Sequence, residues 1–508
     1  MSKFLSICYN RSGDTMIEQL KNFCQKISNL EYQLNTLEWD LEVNVAKKAR
    51  EDLIEVLNNL EKQIYELKTS LEYEELLKQV INSHEFLEIS VLEQDYIKIL
   101  YKECLESKKI PKDFYLDYSK TLHRSTGLWE EAKTANDYTI FKNILDEVIT
   151  KTKQYYKYLQ TDEETLYDVA LNQYEKGLST KVIDPLFARL KEELIPLIKV
   201  NNHLQEKHLK YTYSTDELME TAKYILNYIG FDNDRGSLGI YPHGFTTKIG
   251  NNDVRIAFKK NESPLDFLMT IIHEGGHGIF EQNISRVLWD YGIVGINNLM
   301  ALHESQSRFY ENILGRNKNF WIPIYDIIQG KLHLEISLDE FVELLNYPKC
   351  SLIRTEADEL TYPLHIIIRY EIERDLFEGL ISIDQLPQVW KQKMKDYLDV
   401  DVVNDNEGLL QDVHWSQGNF GYFPTYLLGT IYDGMFLKAI LRDLGSLDEI
   451  LKEGKIKEIT KYLTNHVYKF GGTKTSKEIL DSLQVGELSA EPVLSYFNQK
   501  YNKEYSDI

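Results

Sequence analysis

The chain has 508 residues, 43% of them hydrophobic, and a formal net charge of −22. This apolar content can bury a large core, so a wholly disordered chain is excluded. The acidic charge argues against nucleic acid and anionic membrane surfaces as partners, because like charges repel. With 26 glycines and 11 prolines, the chain has few helix breakers, which favours a mainly helical fold.

The N-terminus and the cysteines bear on the cellular compartment. The apolar stretch at the N-terminus spans about five residues, which is shorter than the core of a secretory signal peptide. No apolar run approaches the ~20 residues of a membrane-spanning helix. The cysteines are widely spaced and form no CxxC pair, which favours reduced thiols over a disulfide framework; they are Cys8, Cys24, Cys104 and Cys350. These features predict a cytoplasmic protein with no membrane partner.

Residues 14–200 predict a succession of helices, because apolar residues recur there at spacings of three and four. Heptads do not persist, so packed globular helices are expected rather than a long coiled coil. No Pro/Ser-rich linker interrupts the chain. We therefore expect a single domain in two lobes, a helical lobe at 1–230 and a second lobe at 231–508.

One segment carries a convincing strand signal. Residues 245–249 and 254–258 predict two strands around the turn GNND. Helical patterns resume near Pro264 and continue to the end, except for a glycine-rich passage between Gly408 and Gly429. The fold class predicted is therefore mainly α with a small β-sheet.

A metal-binding motif, HExxH, lies in the segment FLMTIIHEGGHGIFEQ at His273, Glu274 and His277. Two histidines four residues apart share one helix face and can reach one metal ion. Glu274 is rotated about 100° from His273 and can take a proton from metal-bound water. The alternative is a pair of ordinary core or surface histidines. Gly275 and Gly276 weaken the helix, which predicts close approach of a substrate or a neighbouring helix, or tight packing.

A catalytic zinc site needs a third protein ligand and an open position. The extended pattern HExxHxxGxxH is absent, because Phe280 and Asn283 occupy the places of its Gly and His. We expect Glu304 as the third ligand, since it lies in a helical segment 27 residues after His277. That distance suffices for a loop and an antiparallel return.

The surroundings of Glu304 leave alternatives. Glu304 and Glu311 are seven residues apart and share a helix face. His303 is a rival ligand, and an ion pair with Arg308 is the other role open to Glu304. Two histidines and a carboxylate make Zn²⁺ the expected ion, although Co²⁺ or Mn²⁺ would also fit these ligands.

Several motifs in the same order resemble those of the carboxypeptidase Taq family of metallocarboxypeptidases. They are HGF at 243–245, NDVRIAF at 252–258, HEGGH at 273–277, HESQS at 303–307, IRTEAD at 353–358, GLLQDVHW at 408–415 and GYFPTY at 421–426. The resemblance covers nearly the whole chain. Two residues depart from the family pattern: Gly244 stands where the family has Pro, and Ala257 where it has Thr. Both departures concern substrate contacts rather than the metal site.

The resemblance implies a large helical zinc-peptidase fold, with a deep cleft, a small sheet beside the active site and a homodimeric assembly. It implies a metallocarboxypeptidase of broad specificity that removes C-terminal amino acids from peptides. His273, His277 and Glu304 would be the metal ligands, and Glu274 the general base.

A carboxypeptidase must recognise a free C-terminal carboxylate, and a fixed guanidinium does this best through paired hydrogen bonds. Arg354, in IRTEAD, is the family-supported candidate; its alternative role is an i+4 salt bridge to Asp358. Arg255, next to the sheet, is the second candidate, although its strand could equally present a solvated, charged face.

Four further residues are candidates for contacts with the substrate. His414 could hydrogen-bond the substrate carbonyl or carboxylate. Asp412 could bind in the same region or orient a metal-binding histidine, and a buried structural His–Asp pair is the alternative for both. Tyr422 could donate its hydroxyl to the oxyanion, although core packing would also explain an aromatic residue there. His243 is a weaker candidate, because a lone strand histidine is usually satisfied locally.

Two other functions remain open at this level. An endo-acting zinc oligopeptidase of similar helical architecture is the main alternative, and a non-catalytic helical scaffold is the third. The intact Glu274 argues against the scaffold. Arg354 separates the first two, because an endopeptidase needs no clamp for a terminal carboxylate.

Overall fold

Helices build most of the fold. The computed structural model describes residues 15–161, 165–201, 213–260, 263–293, 299–348 and 350–502. Its helices are α1 Met16–Val43, α2 Arg50–Lys68, α3 Leu71–Ile81, α4 Val91–Ser107, α5 Lys112–Ala135, α6 Tyr138–Leu159, α7 Leu166–Tyr174, α8 Thr180–Asn201, α9 Thr215–Ile229, α10 Pro264–Gln282, α11 Met300–Arg308, α12 Lys318–Trp321, α13 Tyr325–Lys331, α14 Leu338–Leu345, α15 Tyr362–Glu378, α16 Leu386–Leu398, α17 Phe423–Leu444, α18 Leu447–Lys452, α19 Ile456–His466, α20 Ser476–Ser482 and α21 Glu491–Tyr501. The mainly α prediction is confirmed.

A three-stranded sheet interrupts the helices between α9 and α10. Its strands are β1 Gly236–Ile240, β2 Phe245–Gly250 and β3 Asp253–Phe258, in the order β1-β3-β2. The hairpin of β2 and β3 is the one predicted from the sequence, and β1, parallel to β3, is additional. β1 has the sequence GSLGI, in which two glycines weaken the strand signal.

The two faces of the sheet pack against different helices, because successive side chains of a strand point to opposite faces. Thr246 and Ile256 are paired across β2 and β3 on the face towards α10. Ala257 points to the other face, where it is buried with Trp39 of α1. The departure at Ala257 is thus on the sheet face that α1 covers.

Helix α10 begins with strong local signals. Ser263 caps it by accepting a hydrogen bond from the Asp266 backbone N–H at 3.1 Å, and Pro264 occupies the first turn. Further along, a methyl group on Gly276 would lie 2.7 Å from the Gln306 carbonyl oxygen. Helix α11 therefore passes directly against the HExxH motif, which explains why a glycine stands there.

Buried apolar side chains from α1 to α21 join in one large core. No helix among the described residues combines the length and apolarity needed to cross a lipid bilayer. Cys24, Cys104 and Cys350 are free thiols, whereas Cys8 and the predicted apolar stretch at the N-terminus lie outside the described residues.

Candidate metal centre and active site

Two helices bring the predicted metal ligands together. His273 and His277 project from α10, and Glu304 projects from α11. The Glu304 Oε2 atom lies 3.4 Å from His277 Nε2 and 3.9 Å from His273 Nε2. One potential ligand atom from each residue falls within 4.8 Å of the other two. This donor set, two imidazoles and one carboxylate, fits a catalytic zinc site.

Glu311 supports this arrangement from behind. It lies on a π-helical turn, Phe309–Gly315, that continues α11. The Nδ1–H of His273 donates a hydrogen bond of 2.8 Å to Glu311 Oε2, which fixes the ring and leaves Nε2 directed towards Glu304. Glu311 thus orients His273, a candidate metal ligand. From the sequence, Asp412 was the residue that could orient such a histidine.

The charges of the site suit a divalent cation. Burial opposes protonation of His273, but the hydrogen bond to Glu311 and the charge of Glu304 raise its pKa to about 9. Burial likewise opposes ionisation of Glu304, yet His277 and His273 lower its pKa to about 2. The two carboxylates therefore create a negative potential at the histidines, which a bound cation would neutralise.

His303, the rival ligand, faces a different group. Its ring stacks on His277 with centroids 4.4 Å apart, and its Nε2 lies 3.2 Å from Glu281 Oε1. Glu281 also forms an ion pair with Lys248 at 2.7 Å. The arrangement favours Glu304 as third ligand. The alternative role of Glu304, an ion pair with Arg308, is present as well, at 3.7 Å through the other carboxylate oxygen.

The Glu281 ion pair predicts a specific pH dependence of stability. Burial opposes ionisation of Glu281, but Lys248 and His303 lower its pKa to about 2, against an ordinary 4.5. A lowered carboxyl pKa stabilises the fold above the unfolded-state pKa and loses that effect as the pH falls towards 2. We expect Glu281→Gln to lower the free energy of unfolding at pH 6 by about 3 kcal/mol.

Urea unfolding of both proteins between pH 7 and pH 2.5 checks this expectation. The difference in the free energy of unfolding between wild type and variant should decrease steadily below pH 4.5. A gap that is constant over this range would show that the ionisation of Glu281 contributes nothing.

Arg354 belongs to a buried cluster with two other charged residues. Its Nε donates to Asp412 Oδ1 at 3.0 Å, and its Nη1 donates to the Tyr362 hydroxyl at 3.0 Å. Arg369 donates from Nε to the second oxygen of Asp412 at 2.7 Å. Asp412 thus orients Arg354 rather than a metal-binding histidine. Asp358 instead accepts hydrogen bonds from its own turn, including the Leu360 N–H at 2.8 Å.

The charge balance of this cluster favours an anion. Burial opposes ionisation of Asp412, but Arg369 and Arg354 lower its pKa well below the usual range. Two guanidinium groups therefore share one carboxylate, and one positive charge remains uncompensated within the trio. A buried cation is costly without a counter-charge, so a ligand carboxylate would stabilise it.

Aromatic side chains surround the Arg354 cluster. His414 Nε2 lies 3.2 Å from the Tyr426 hydroxyl, and the Arg354 guanidinium stands 5.2 Å from the Tyr426 ring. Tyr422 packs against Tyr426 and against Tyr174, with centroids 5.3 Å and 5.0 Å apart. Burial and the charge of Glu304 raise the pKa of Tyr422 to about 12. Its hydroxyl is therefore protonated at neutral pH and can donate a hydrogen bond.

Two further candidates have other neighbours. Arg255 binds Asp253 through Nε at 2.9 Å and Nη2 at 2.6 Å, and its guanidinium stands 5.8 Å from the Trp39 ring on the α1 face of the sheet. This placement favours the charged strand face over substrate binding. His243 is exposed between β1 and β2, where its ring packs edge-on against Tyr241 and Phe245.

Sequence reasoning missed three contributors to the site. Glu311 could have been found from its seven-residue spacing to Glu304, which had been noticed without a role. Tyr426 lies in the motif GYFPTY but was given no role of its own. Arg369 carried no local signal, because its partner Asp412 comes from a distant segment.

Comparisons with known proteins identify the family to which the chain is similar. The family model for carboxypeptidase Taq (M32) metallopeptidase matches residues 19–501. Carboxypeptidase 1 of Bacillus subtilis (strain 168) is 36% identical over 501 residues, covering 97% of this chain and 99% of that protein. Thermostable carboxypeptidase 1 of Pyrococcus furiosus is 30% identical and covers 96% and 98%.

A solved structure shares the fold over the same length. The crystal structure of an M32 carboxypeptidase from Deinococcus radiodurans R1 superposes with a TM-score of 0.91 at 26% identity, covering 97% of this chain and 100% of that one. With the two histidines and Glu304 in place, the chain belongs to the carboxypeptidase Taq (M32) family and is a metallocarboxypeptidase.

Proposed function

We propose that the protein removes single residues from the C-termini of peptides and that Arg354 binds the terminal carboxylate. One observation carries this proposal: the surplus positive charge near Arg354 is close to the metal ligands. Arg354 donates a hydrogen bond to the Tyr362 hydroxyl, and the Tyr362 ring lies 4.3 Å from the Arg308 guanidinium. Arg308 in turn forms an ion pair with Glu304 at 3.7 Å. A clamp two side chains from the metal ligands suits cleavage of the last peptide bond.

His273, His277 and Glu304 would hold the ion, and we propose Zn²⁺, with Co²⁺ or Mn²⁺ as substitutes. When bound, such an ion acts as a Lewis acid and makes water a better nucleophile. The donor set and the negative potential described above support this choice.

The chain's own residues have distinct tasks in this proposal. Glu274 accepts the proton of the attacking water and returns it to the leaving amine. Tyr422 donates its hydroxyl hydrogen to the developing oxyanion. His414, which burial and Arg354 keep neutral by lowering its pKa to about 3, contacts the bound peptide without adding charge. Arg354 selects the terminal residue, and Asp412 holds Arg354 in place.

The choice between exopeptidase and endopeptidase has a direct test. Peptides with an amidated C-terminus should be cleaved with a kcat/KM roughly 10- to 100-fold lower than the free acids, because a charge-assisted hydrogen bond is worth about 1.5–3 kcal/mol. The measurement compares matched peptide pairs. Equal rates on both peptides would favour an endo-acting oligopeptidase.

Two arginine variants locate the group responsible. Arg354→Leu should abolish the preference for the free acid, since it removes the clamp. Arg255→Leu is the matched control, and its preference should persist because that side chain lies on the far face of the sheet. Loss of the preference in the Arg255 variant alone would move the clamp to Arg255.

We also propose that the chain forms a single domain with lobes at 1–230 and 231–508. We further propose that it assembles as a homodimer and is located in the cytoplasm. The family resemblance supports the dimer, and the free thiols Cys24, Cys104 and Cys350 suit a reducing compartment. Light scattering tests the dimer, which requires twice the chain mass of 59.6 kDa.

A further inference from the structure

The proposed general base has a hydrogen-bond donor from the sheet. The Thr246 hydroxyl on β2 lies 2.7 Å from Glu274 Oε2 and 2.9 Å from the backbone oxygen of the same residue. Glu274 is buried, at 7% exposure.

The residue before this strand, Gly244, stands close to the other carboxylate oxygen. A methyl group on Gly244 would lie 3.1 Å from Glu274 Oε1 and 2.5 Å from Thr270 Cγ2. The backbone at Gly244 therefore passes close to this side of Glu274, and a side chain there would require Thr270 or Glu274 to shift. β2 thus contacts one oxygen of the carboxylate, and the residue before β2 stands beside the other.

These contacts restrict rotation about the side-chain bonds of Glu274. A hydrogen bond from a neutral hydroxyl to a carboxylate is charge-assisted and directional. The hydrogen bond from Thr246 holds Glu274 Oε2 in place. Glu274 Oε1 is then the oxygen that receives the proton. A general base must stand within hydrogen-bond reach of the proton it takes, and misplacement of about 1 Å is costly.

We propose that Thr246 is a positioning residue, which orients Glu274 for proton transfer. This inference rests on the proposed role of Glu274 as general base. Thr246 touches neither the substrate nor the metal ligands in this scheme and acts only through Glu274.

Removal of the hydroxyl tests the inference. Thr246→Val keeps the shape of the side chain, and we expect kcat to fall roughly 10- to 100-fold while KM and metal content stay at wild-type values. Thr246→Ser restores the hydroxyl and should recover most of kcat. Thr247→Val is the matched control, because Thr247 pairs with Arg255 on the opposite face of the sheet.

A double variant separates positioning from a general loss of stability. In the Glu274→Gln background, Thr246→Val should cause little further loss, because the residue through which it acts has already lost its function. A merely structural effect would lower both backgrounds equally. If Thr246→Val does not fold, Thr246→Ala removes the same hydroxyl and is measured instead.

Three results would overturn the inference: an unchanged kcat in the hydroxyl-free variant, a Ser variant as slow as the Val variant, or independent losses in the double variant. Its failure is distinct from failure of the proposed function. Wild-type turnover in Glu274→Gln alone would remove the general base itself, whereas an inactive Glu274→Gln with a fully active Thr246→Val would reject only Thr246.

Discussion

Glu274→Gln should lose at least ~10²-fold in turnover while it keeps its metal, because Gln has the shape of Glu but cannot accept a proton at neutral pH. The variant preserves the three proposed metal ligands, and its side-chain oxygen can still accept the Thr246 hydrogen bond. A stopped assay at saturating peptide measures kcat, and elemental analysis measures the metal.

The two readouts must be taken on the same preparation. Loss of activity together with loss of metal would show a disturbed site and would say nothing for a base. Wild-type-like turnover would remove Glu274 from the mechanism.

Glu304→Ala should weaken metal binding by more than the 10- to 100-fold that is typical for loss of an outer partner of a ligand. The change removes a proposed ligand. It also removes the carboxylate that pairs with the buried guanidinium of Arg308, so a lower melting temperature is expected as well. Metal content after exhaustive dialysis and thermal unfolding measure the two effects.

His303→Asn provides the comparison, since His303 is the neighbouring candidate whose ring nitrogen faces Glu281. This variant should retain its metal after the same dialysis. If His303→Asn loses the ion while Glu304→Ala keeps it, the third ligand is His303 and not Glu304.

The metal site illustrates which features are local. His273, Glu274 and His277 could be placed from helix periodicity alone, because one turn of helix brings the two rings onto one face. Glu304 required only the further assumption of an antiparallel return. The structure confirms that α10 and α11 pack together at these residues. The absence of a side chain at Gly276 allows the backbone of α11 to approach α10 closely.

The substrate region illustrates features that are not local. A role for Asp412 in a buried pair was considered with His414 as the partner, whereas its partners are Arg354 and Arg369, which lie 58 and 43 residues away. No periodicity relates such segments. Arg255 was placed correctly on a strand. Whether its side chain faces the metal ligands or α1 depends on which helix covers each face of the sheet.

By itself, the sequence determined the helical class, the β2–β3 hairpin and the helix that carries the HExxH motif, since these depend on the spacing of residues a few positions apart. Only the tertiary structure decided that β1 joins the sheet, that Glu311 orients His273 and that Thr246 reaches Glu274. These contacts join segments whose meeting is set by the packing of a shared core, and short-range patterns carry no record of that packing.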